Sequence, residues 1–252
     1  RPPRSTLSSS WAASDVYKRQ VYISTELFSL ILYPLDFLVV LAHLLYNYKQ
    51  SLMLMKSTDP ISQLQKLLFN KLQLMDELFA KMMESENAPR IPEITKHILD
   101  SGGKKLRPLL CIASAEALNY KSNKHILLAA TIEFIHTATL LHDDVVDESL
   151  TRRGKRTANL LWDNKSSILV GDFLFSRAFQ LMVSTNSLEV LKVLSNTAAF
   201  ISESEVLQLS NIKNVNIDLQ TYFKIIEGKT AALFSAACET GAMISTKNLN
   251  HI

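Results

Sequence analysis

Three aspartates lie close together near the middle of the sequence: Asp143, Asp144 and Asp147. In a helix, Asp143 and Asp147 are one turn apart on the same face, and Asp144 lies beside them. Carboxylates gathered at the end of an apolar segment repel one another and resist desolvation, so the pattern indicates a bound cation. Oxygen ligands on short side chains favour a hard ion that keeps several waters and bridges to phosphate oxygens, which makes Mg²⁺ the first candidate.

Basic residues lie in two clusters on either side of the acidic segment. Basic runs are usually solvated surface, but next to an acidic helix end they can donate to the oxygens of a metal-bound phosphate. The net charge of +3 is too small to indicate a nucleic-acid partner, and we predict none. The clusters are Lys104, Lys105 and Arg107 upstream, and Arg152 and Arg153 downstream.

The elements that must position these residues are predicted to be helices. All seven prolines lie at or before Pro108, and proline interrupts helices, so its absence afterwards favours long ones and an all-α fold. We expect no strands. Cys111 and Cys238 follow helical apolar patterns and are predicted core residues in a reducing compartment. The predicted helices are 59–83, 91–99, 107–118, 124–149, 167–183, 188–209 and 218–244, with a loop and a short helix within 152–165.

The first 56 residues differ in character from the rest. Residues 1–20 are basic and serine-rich with a single acid, Asp15, which is typical of a mitochondrial transit peptide. Non-native sequence is an equal alternative. Residues 27–48 are long and apolar enough to span a bilayer, but Asp36 would be costly at its centre. A presequence remnant, an accessory helix and a peripheral membrane contact therefore stay open, and the location is mitochondrial or otherwise cytoplasmic.

Four segments of the chain resemble the signature motifs of the trans-prenyl diphosphate synthases. A lone Asp-Asp-x-x-Asp would be weak evidence, but four motifs in the expected order are strong. The residues within the motifs are most similar to those of the long-chain members, which make polyprenyl tails for quinones. The segments are 143–154 (Asp-Asp-x-x-Asp, then Arg-Arg-Gly), 102–108 (Gly-Gly-Lys-Lys-Leu-Arg-Pro), 171–172 (Gly-Asp) and 228–230 (Gly-Lys-Thr).

The resemblance implies a fold and a reaction. The fold would be an antiparallel helix bundle of the isoprenoid synthase type, occupying residues 57–252. The reaction would be head-to-tail prenyl transfer, in which an allylic prenyl diphosphate loses pyrophosphate and isopentenyl diphosphate attacks the cation. Mg²⁺ would be the cofactor, a long all-trans polyprenyl diphosphate for quinone biosynthesis the product, and a homodimer or heterodimer the assembly.

The resemblance also implies a role for each residue of the motifs. The predicted catalytic residues are Asp143, Asp144, Asp147, Arg152 and Lys229. Two small residues just upstream of the acidic motif stand where short-chain relatives carry aromatic rings, which implies an open tunnel and a long product. The assignments are Asp143, Asp147 and, in support, Asp144 for Mg²⁺; Arg152, Lys229 and Thr230 for the allylic diphosphate; Lys104, Arg107, His136 and Arg153 for isopentenyl diphosphate; and Ala138 and Thr139 for chain length.

The chain departs from the family pattern in two places. Ser204 stands where the family usually has glycine, a change that we expect to be harmless. The second aspartate-rich motif, which would face Asp143 and Asp147 and complete the metal site, is absent from these 252 residues. We therefore expect a bundle that lacks its C-terminal helices and a chain that is inactive on its own.

Two other functions stay open at this stage. One is a non-catalytic or regulatory subunit of a heteromeric synthase. The other is a metal phosphohydrolase of the HD type, with His142-Asp143 as its central pair and His97, His125 or His136 as further ligands. The second alternative leaves the glycine-rich and basic motifs unexplained, and we give His142 no role in the synthase.

Overall fold

The computed structural model describes residues 59–246, and this part of the chain is helical throughout apart from one short hairpin, as predicted. The predicted presequence and the apolar segment 27–48 lie outside the described residues. The helices are α1 (Pro60–Leu67), α2 (Phe69–Met82), α3 (Arg90–Asp100), α4 (Leu106–Ala117), α5 (Lys124–Val146), α6 (Ala158–Leu161), α7 (Asn164–Ser184), α8 (Leu188–Ser210), α9 (Leu219–Ile226) and α10 (Ala232–Met243). A π-helical turn (Glu227–Ala231) joins α9 to α10, and strands β1 (Thr151–Arg152) and β2 (Lys155–Arg156) form the hairpin.

Helix α5 is the centre of the bundle. It packs against α2, α4, α7 and α10, and most of its apolar side chains are completely buried. Phe134 of α5 stacks on Phe79 of α2 with ring centroids 4.0 Å apart, which fixes the rotation of α5 against α2. Helices α5 and α7 are long and apolar enough to cross a membrane, but they pack side by side in the core of this bundle.

Polar caps define where several helices begin. The side chains of Asp59, Asp163, Ser187 and Asp218 each accept a hydrogen bond from a backbone N–H in the first helical turn. Such caps satisfy donors that the helix cannot pair, and each contributes about 1 kcal/mol. The cap at Asp59 followed by Pro60 confirms the predicted start of the first helix.

Three predicted helices differ from the observed ones in extent or continuity, and the prediction of no strands was wrong. The segment predicted as one helix from 59 to 83 is broken at Leu68, whose side chain turns into the core. Helix α5 ends at Val146 because Asp147 leaves the helical conformation and Glu148 has a φ of 49°. The helix predicted over 218–244 contains the π-helical turn. The hairpin at 151–156 replaces a predicted loop.

Glycine allows the close crossing of α4 and α10. An ideal Cβ built on Gly241 of α10 would lie 2.3 Å from the carbonyl oxygen of Cys111 on α4, and neither backbone can move without disturbing the core. Cys111 is buried and Cys238 is half-buried, both are free thiols, and burial raises the pKa of the Cys238 thiol to about 11. Cys111 is therefore an inert core residue, as predicted, whereas Cys238 is only partly buried.

We expect Gly241→Ala to lower the free energy of unfolding by about 2–3 kcal/mol, because the added methyl group overpacks a backbone contact. Gly103→Ala is a suitable control, since its Cβ would meet only the flexible end of Arg153, and we expect less than about 1 kcal/mol there. Urea denaturation followed by circular dichroism measures both values. Equal losses in the two variants would show that the helix crossing is not the constraint.

Candidate active site

The basic segment after the three aspartates is a β-hairpin with a two-residue turn. Arg153 and Gly154 occupy the turn with φ values of 53° and 78°, the conformation that a tight hairpin turn requires at both positions. His97 Nε2 of α3 lies within hydrogen-bonding distance, 2.7 Å, of the carbonyl oxygen of Arg156. Lys155 donates a hydrogen bond to the carbonyl of Asp100 at the end of the same helix. The hairpin is thus fixed to α3, which gives Arg152 and Arg153 defined positions.

Arg152 of β1 pairs with Asp144 of α5 in a bidentate arrangement. Its Nε lies 3.0 Å from both carboxylate oxygens and its Nη2 lies 2.8 Å from Oδ1. Asp144 is only 4% exposed, so its charge depends on this partner. Both oxygens of Asp144 are engaged by the guanidinium, and the observed role of this residue is to hold the hairpin against the end of α5.

Asp143 faces the opposite side, towards the π-helical turn. Lys229 Nζ lies 3.7 Å from Asp143 Oδ2 and 2.8 Å from Glu205 Oε2 of α8. Desolvation raises the pKa of Asp143 to about 6, with Glu205 and Asp147 adding to the increase and Lys229 opposing it. Burial alone would lower the pKa of Lys229, but Asp143, Glu205 and Asp147 raise it above its ordinary value. Lys229 is therefore a charged ammonium among three acids.

The donor set of this acidic face fits a metal ion that takes part of its ligands from elsewhere. Within residues 59–246, no three His, Cys, Asp or Glu side chains converge closely enough to enclose an ion by themselves. Asp143 and the exposed Asp147 lie one helical turn apart, and Mg²⁺ characteristically uses one or two carboxylates together with water and phosphate oxygens. Burial raises the pKa of Asp143, and a divalent cation at this carboxylate would oppose that increase.

A second, basic cluster lies two turns earlier on α5. Arg107 Nη1 is 3.4 Å from His136 Nε2, and the Arg107 guanidinium lies over the Phe234 ring of α10 at 4.2 Å. Burial, together with the charges of Arg107, Arg153 and Arg152, lowers the pKa of His136 to about 3, so this imidazole is neutral. Uncharged histidine next to several guanidinium groups leaves the cluster strongly positive and suited to an anion.

The loop before α4 completes the basic cluster. The guanidinium of Arg153 lies against Gly103, where an added Cβ would be 2.7 Å from Nη1. Gln65 of α1 donates to the carbonyl of Lys104 at 2.9 Å, and the Lys104 side chain itself is exposed. Lys105 has a φ of 48° and pairs with Asp76 of α2. The hairpin and the glycine-rich loop are therefore brought together, which the sequence alone did not establish.

The remaining predicted residues lie in less distinctive surroundings. Thr230 is exposed next to Lys229. Ala138 has no exposed surface and belongs to the hydrophobic core, while the half-buried Thr139 donates to the carbonyl of His136 at 2.8 Å. The roles of Ala138 and Thr139 in chain length stay a prediction.

One residue of the site, Glu205, was missed in the sequence, while His142 lies outside the site, as predicted. Glu205 lies in the 202–208 segment, which resembles a family helix, but nothing in its spacing indicated that it contacts Lys229. His142 packs against Gly171 of α7, where a Cβ would clash at 2.2 Å, and its Nε2 lies 3.1 Å from the Ile168 carbonyl. The motif glycine at 171 thus has a packing role, and His142 holds α5 to α7.

An all-α bundle whose central helix ends in paired acids, flanked by guanidinium and ammonium groups, has a charge arrangement suited to a metal-complexed diphosphate. The comparisons with known proteins agree: residues 88–252 match the family model described as polyprenyl synthetase, and the chain belongs to this family. Octaprenyl diphosphate synthase of Escherichia coli is 45% identical over 184 residues, covering 69% of this chain and 57% of that protein.

Two solved structures share the fold. A decaprenyl diphosphate synthase from Rhodobacter capsulatus superposes with a TM-score of 0.73 at 54% identity, covering 74% of this chain and 57% of that one. A polyprenyl synthase from Caulobacter crescentus, complexed with calcium and isoprenyl diphosphate, gives 0.74 at 43% identity, covering 77% and 59%. They confirm the predicted isoprenoid synthase type of bundle. The chain spans a little over half the length of each of these relatives.

We expect Arg152→Met to lower the free energy of unfolding by about 3–5 kcal/mol, because it leaves Asp144 charged, buried and unpaired. The double variant Arg152→Met with Asp144→Leu removes both charges and should recover most of that loss. Chemical denaturation of the two single variants and the double variant gives the coupling energy. Additive losses would contradict a direct pairing.

The neutral His136 makes stability depend on pH. Its folded pKa is below its unfolded value of about 6.5, so its contribution is complete above pH 6.5 and is lost as the pH falls below it. When the pH falls from 7.5 to 5, we expect the free energy of unfolding of His136→Gln to decrease by up to about 2 kcal/mol less than that of the parent chain. Urea midpoints across this range measure the difference, and parallel pH curves would rule the effect out.

Proposed function

We propose that the protein to which this chain belongs is a prenyltransferase that adds isopentenyl diphosphate units head-to-tail to an allylic prenyl diphosphate. The product would be a long all-trans polyprenyl diphosphate, the precursor of a quinone side chain. The names of the relatives support this assignment, since they are octaprenyl and decaprenyl diphosphate synthases. The activity is proposed for the whole protein.

The observation that carries the proposal is the presence of two anion-binding groups along one helix. His136 and Asp143 are seven residues apart on α5, which is two helical turns or about 10 Å. The charged groups that act on His136 are the guanidinium groups of Arg107, Arg153 and Arg152, as suits a diphosphate that remains intact. Around Asp143 the partners are acids and an ammonium, as suits a diphosphate that departs as a metal complex.

The residues of the chain can perform distinct parts of the reaction. Lys229 and Arg152 would bind the departing diphosphate, where negative charge develops as the carbon–oxygen bond breaks. When bound at Asp143 and Asp147, a magnesium ion would supply further stabilisation of that charge. Arg107 and Arg153 would hold isopentenyl diphosphate. The completely buried side chains of α5 next to these groups exclude water, which would otherwise capture the allylic cation.

Cofactor, assembly and location are parts of the same proposal. We take Mg²⁺ as the cofactor because Asp143 and Asp147 offer few, hard ligands, and the Caulobacter crescentus relative binds calcium, a related cation, together with isoprenyl diphosphate. We expect a homodimer or heterodimer. Mitochondrial location and peripheral membrane contact rest on the composition of residues 1–56 alone.

The geometry disfavours the phosphohydrolase alternative. His142 turns towards α7, where it contacts the Ile168 carbonyl and Asp172, and does not share a ligand position with Asp143. His125 is buried near Glu116 at 3.4 Å, at the other end of α5. The alternative of a non-catalytic subunit remains compatible with the fold, but the acidic partners of Asp143 and the basic partners of His136 favour catalysis.

We expect Asp143→Asn or Asp147→Asn to lower the rate of prenyl transfer by about 100-fold or more, since each removes an oxygen ligand of the metal-bound diphosphate. The assay supplies the full-length protein with farnesyl diphosphate, radiolabelled isopentenyl diphosphate and Mg²⁺, and separates the extended prenyl products. Glu203→Gln is a matched control because Glu203 is exposed on α8, and its rate should equal that of the parent. Unchanged rates in both aspartate variants would contradict the assignment of Asp143 and Asp147 as metal ligands.

A further inference from the structure

Helix α8 and the π-helical turn approach each other more closely at one point than ordinary side chains permit. An ideal Cβ on Gly228 would lie 1.6 Å from Ser204 Oγ and 3.0 Å from the carbonyl oxygen of Phe200. Ser204 is 3% exposed and donates to that same carbonyl at 2.8 Å, so its hydroxyl is held in place. While serine occupies 204, no residue larger than glycine fits at 228.

The next residue on each side of this contact belongs to the candidate site. Glu205 follows Ser204, Lys229 follows Gly228, and their side chains form the ion pair of 2.8 Å. The π-helical turn widens the backbone here, a feature that often accompanies functional sites. The Ser204–Gly228 contact therefore sets the distance between the backbones from which Glu205 and Lys229 project.

Glu205 restricts a side chain that would otherwise be mobile. Lysine has a flexible four-carbon stem and an ammonium group with three donors. One donor is directed at Glu205, and the ammonium then lies 3.7 Å from Asp143, with donors left for a further acceptor. In the described part of the chain, the ion pairs of Lys229 are those with Glu205 and Asp143. Without Glu205, the ammonium would be free to move closer to Asp143.

We propose that Glu205 is a positioning residue that directs Lys229 towards the allylic diphosphate, and that the Ser204–Gly228 contact sets the register of this pair. The inference deepens the proposed function and rests on it for the identity of the ligand. It assigns the pair to the allylic site alone. The residues that we assign to isopentenyl diphosphate are separate from this pair. His136 lies two turns before Asp143 on α5, and Arg107 of α4 contacts His136.

Steady-state kinetics of Glu205 variants test the positioning role. We expect Glu205→Ala to lower kcat/KM for farnesyl diphosphate about 10-fold, the loss of one charged hydrogen bond, and to change the KM for isopentenyl diphosphate less than about 2-fold. Glu205→Gln keeps an acceptor oxygen and should recover part of the loss. Glu203→Gln is the control on the same helix. Equal losses for both substrates, or no loss, would overturn the proposal.

Exchange of the two small residues tests the register. Gly228→Ser introduces a side chain where Ser204 already lies, and we expect the same substrate-selective defect as in Glu205→Ala. The double variant Ser204→Gly with Gly228→Ser removes the contact with Ser204 and keeps only the 3.0 Å approach to the Phe200 carbonyl, so it should restore the allylic kcat/KM to within about 3-fold of the parent. Should Gly228→Ser fail to fold, as judged by circular dichroism, the double variant still decides, since a persistent allylic defect in it would contradict the proposed register.

A binding measurement separates this inference from the proposed reaction. Calorimetric titration with inorganic pyrophosphate in the presence of Mg²⁺ requires no turnover. We expect weaker binding in Glu205→Ala and in Lys229→Ala, and parental binding in Glu203→Gln. If the parent protein binds pyrophosphate but extends no prenyl chain, the proposed reaction fails while these variants still test the positioning. Equal pyrophosphate affinity in parent and Glu205→Ala would overturn the positioning role.

Discussion

The local structure around the site depends on the cost of burying two adjacent carboxylates at the end of one helix. Asp143 and Asp144 are both largely removed from water, and a buried charge without a partner is strongly destabilising. Because consecutive residues of a helix point in different directions, the two acids need partners on different sides. Asp144 takes Arg152 from the hairpin and Asp143 takes Lys229 from the π-helical turn. Two segments that are distant in sequence are thereby fixed to the same helix end.

Glycine residues make these approaches possible. Gly103 admits the guanidinium of Arg153, Gly171 admits the ring of His142, and Gly228 admits the hydroxyl of Ser204. In each case the space that a side chain would occupy is filled by a polar group of another segment. These three motif glycines therefore serve packing, whereas Gly102 and Gly154 have open space around them and supply a positive φ.

The helices and the chemistry were predictable from the sequence, whereas their junctions were not. Apolar periodicity and the absence of proline indicated the bundle, and residue types indicated the acidic and basic groups. The break at Leu68 and the π-helical turn at 227–231 arise from tertiary packing, which no local pattern records. The hairpin was missed although Arg153-Gly154 can form a tight turn, because arginine seldom adopts a positive φ. Glu205 was missed because its partner is 24 residues away on another element.

The two-residue turn has an evolutionary consequence. In a hairpin, neighbouring side chains alternate between faces, and a shift by one residue reverses them. Arg152 on the strand reaches α5 while Arg153 in the turn reaches the loop before α4. An insertion or deletion here would exchange or misdirect both cations at once, so natural variation in this segment should proceed by substitution at constant length.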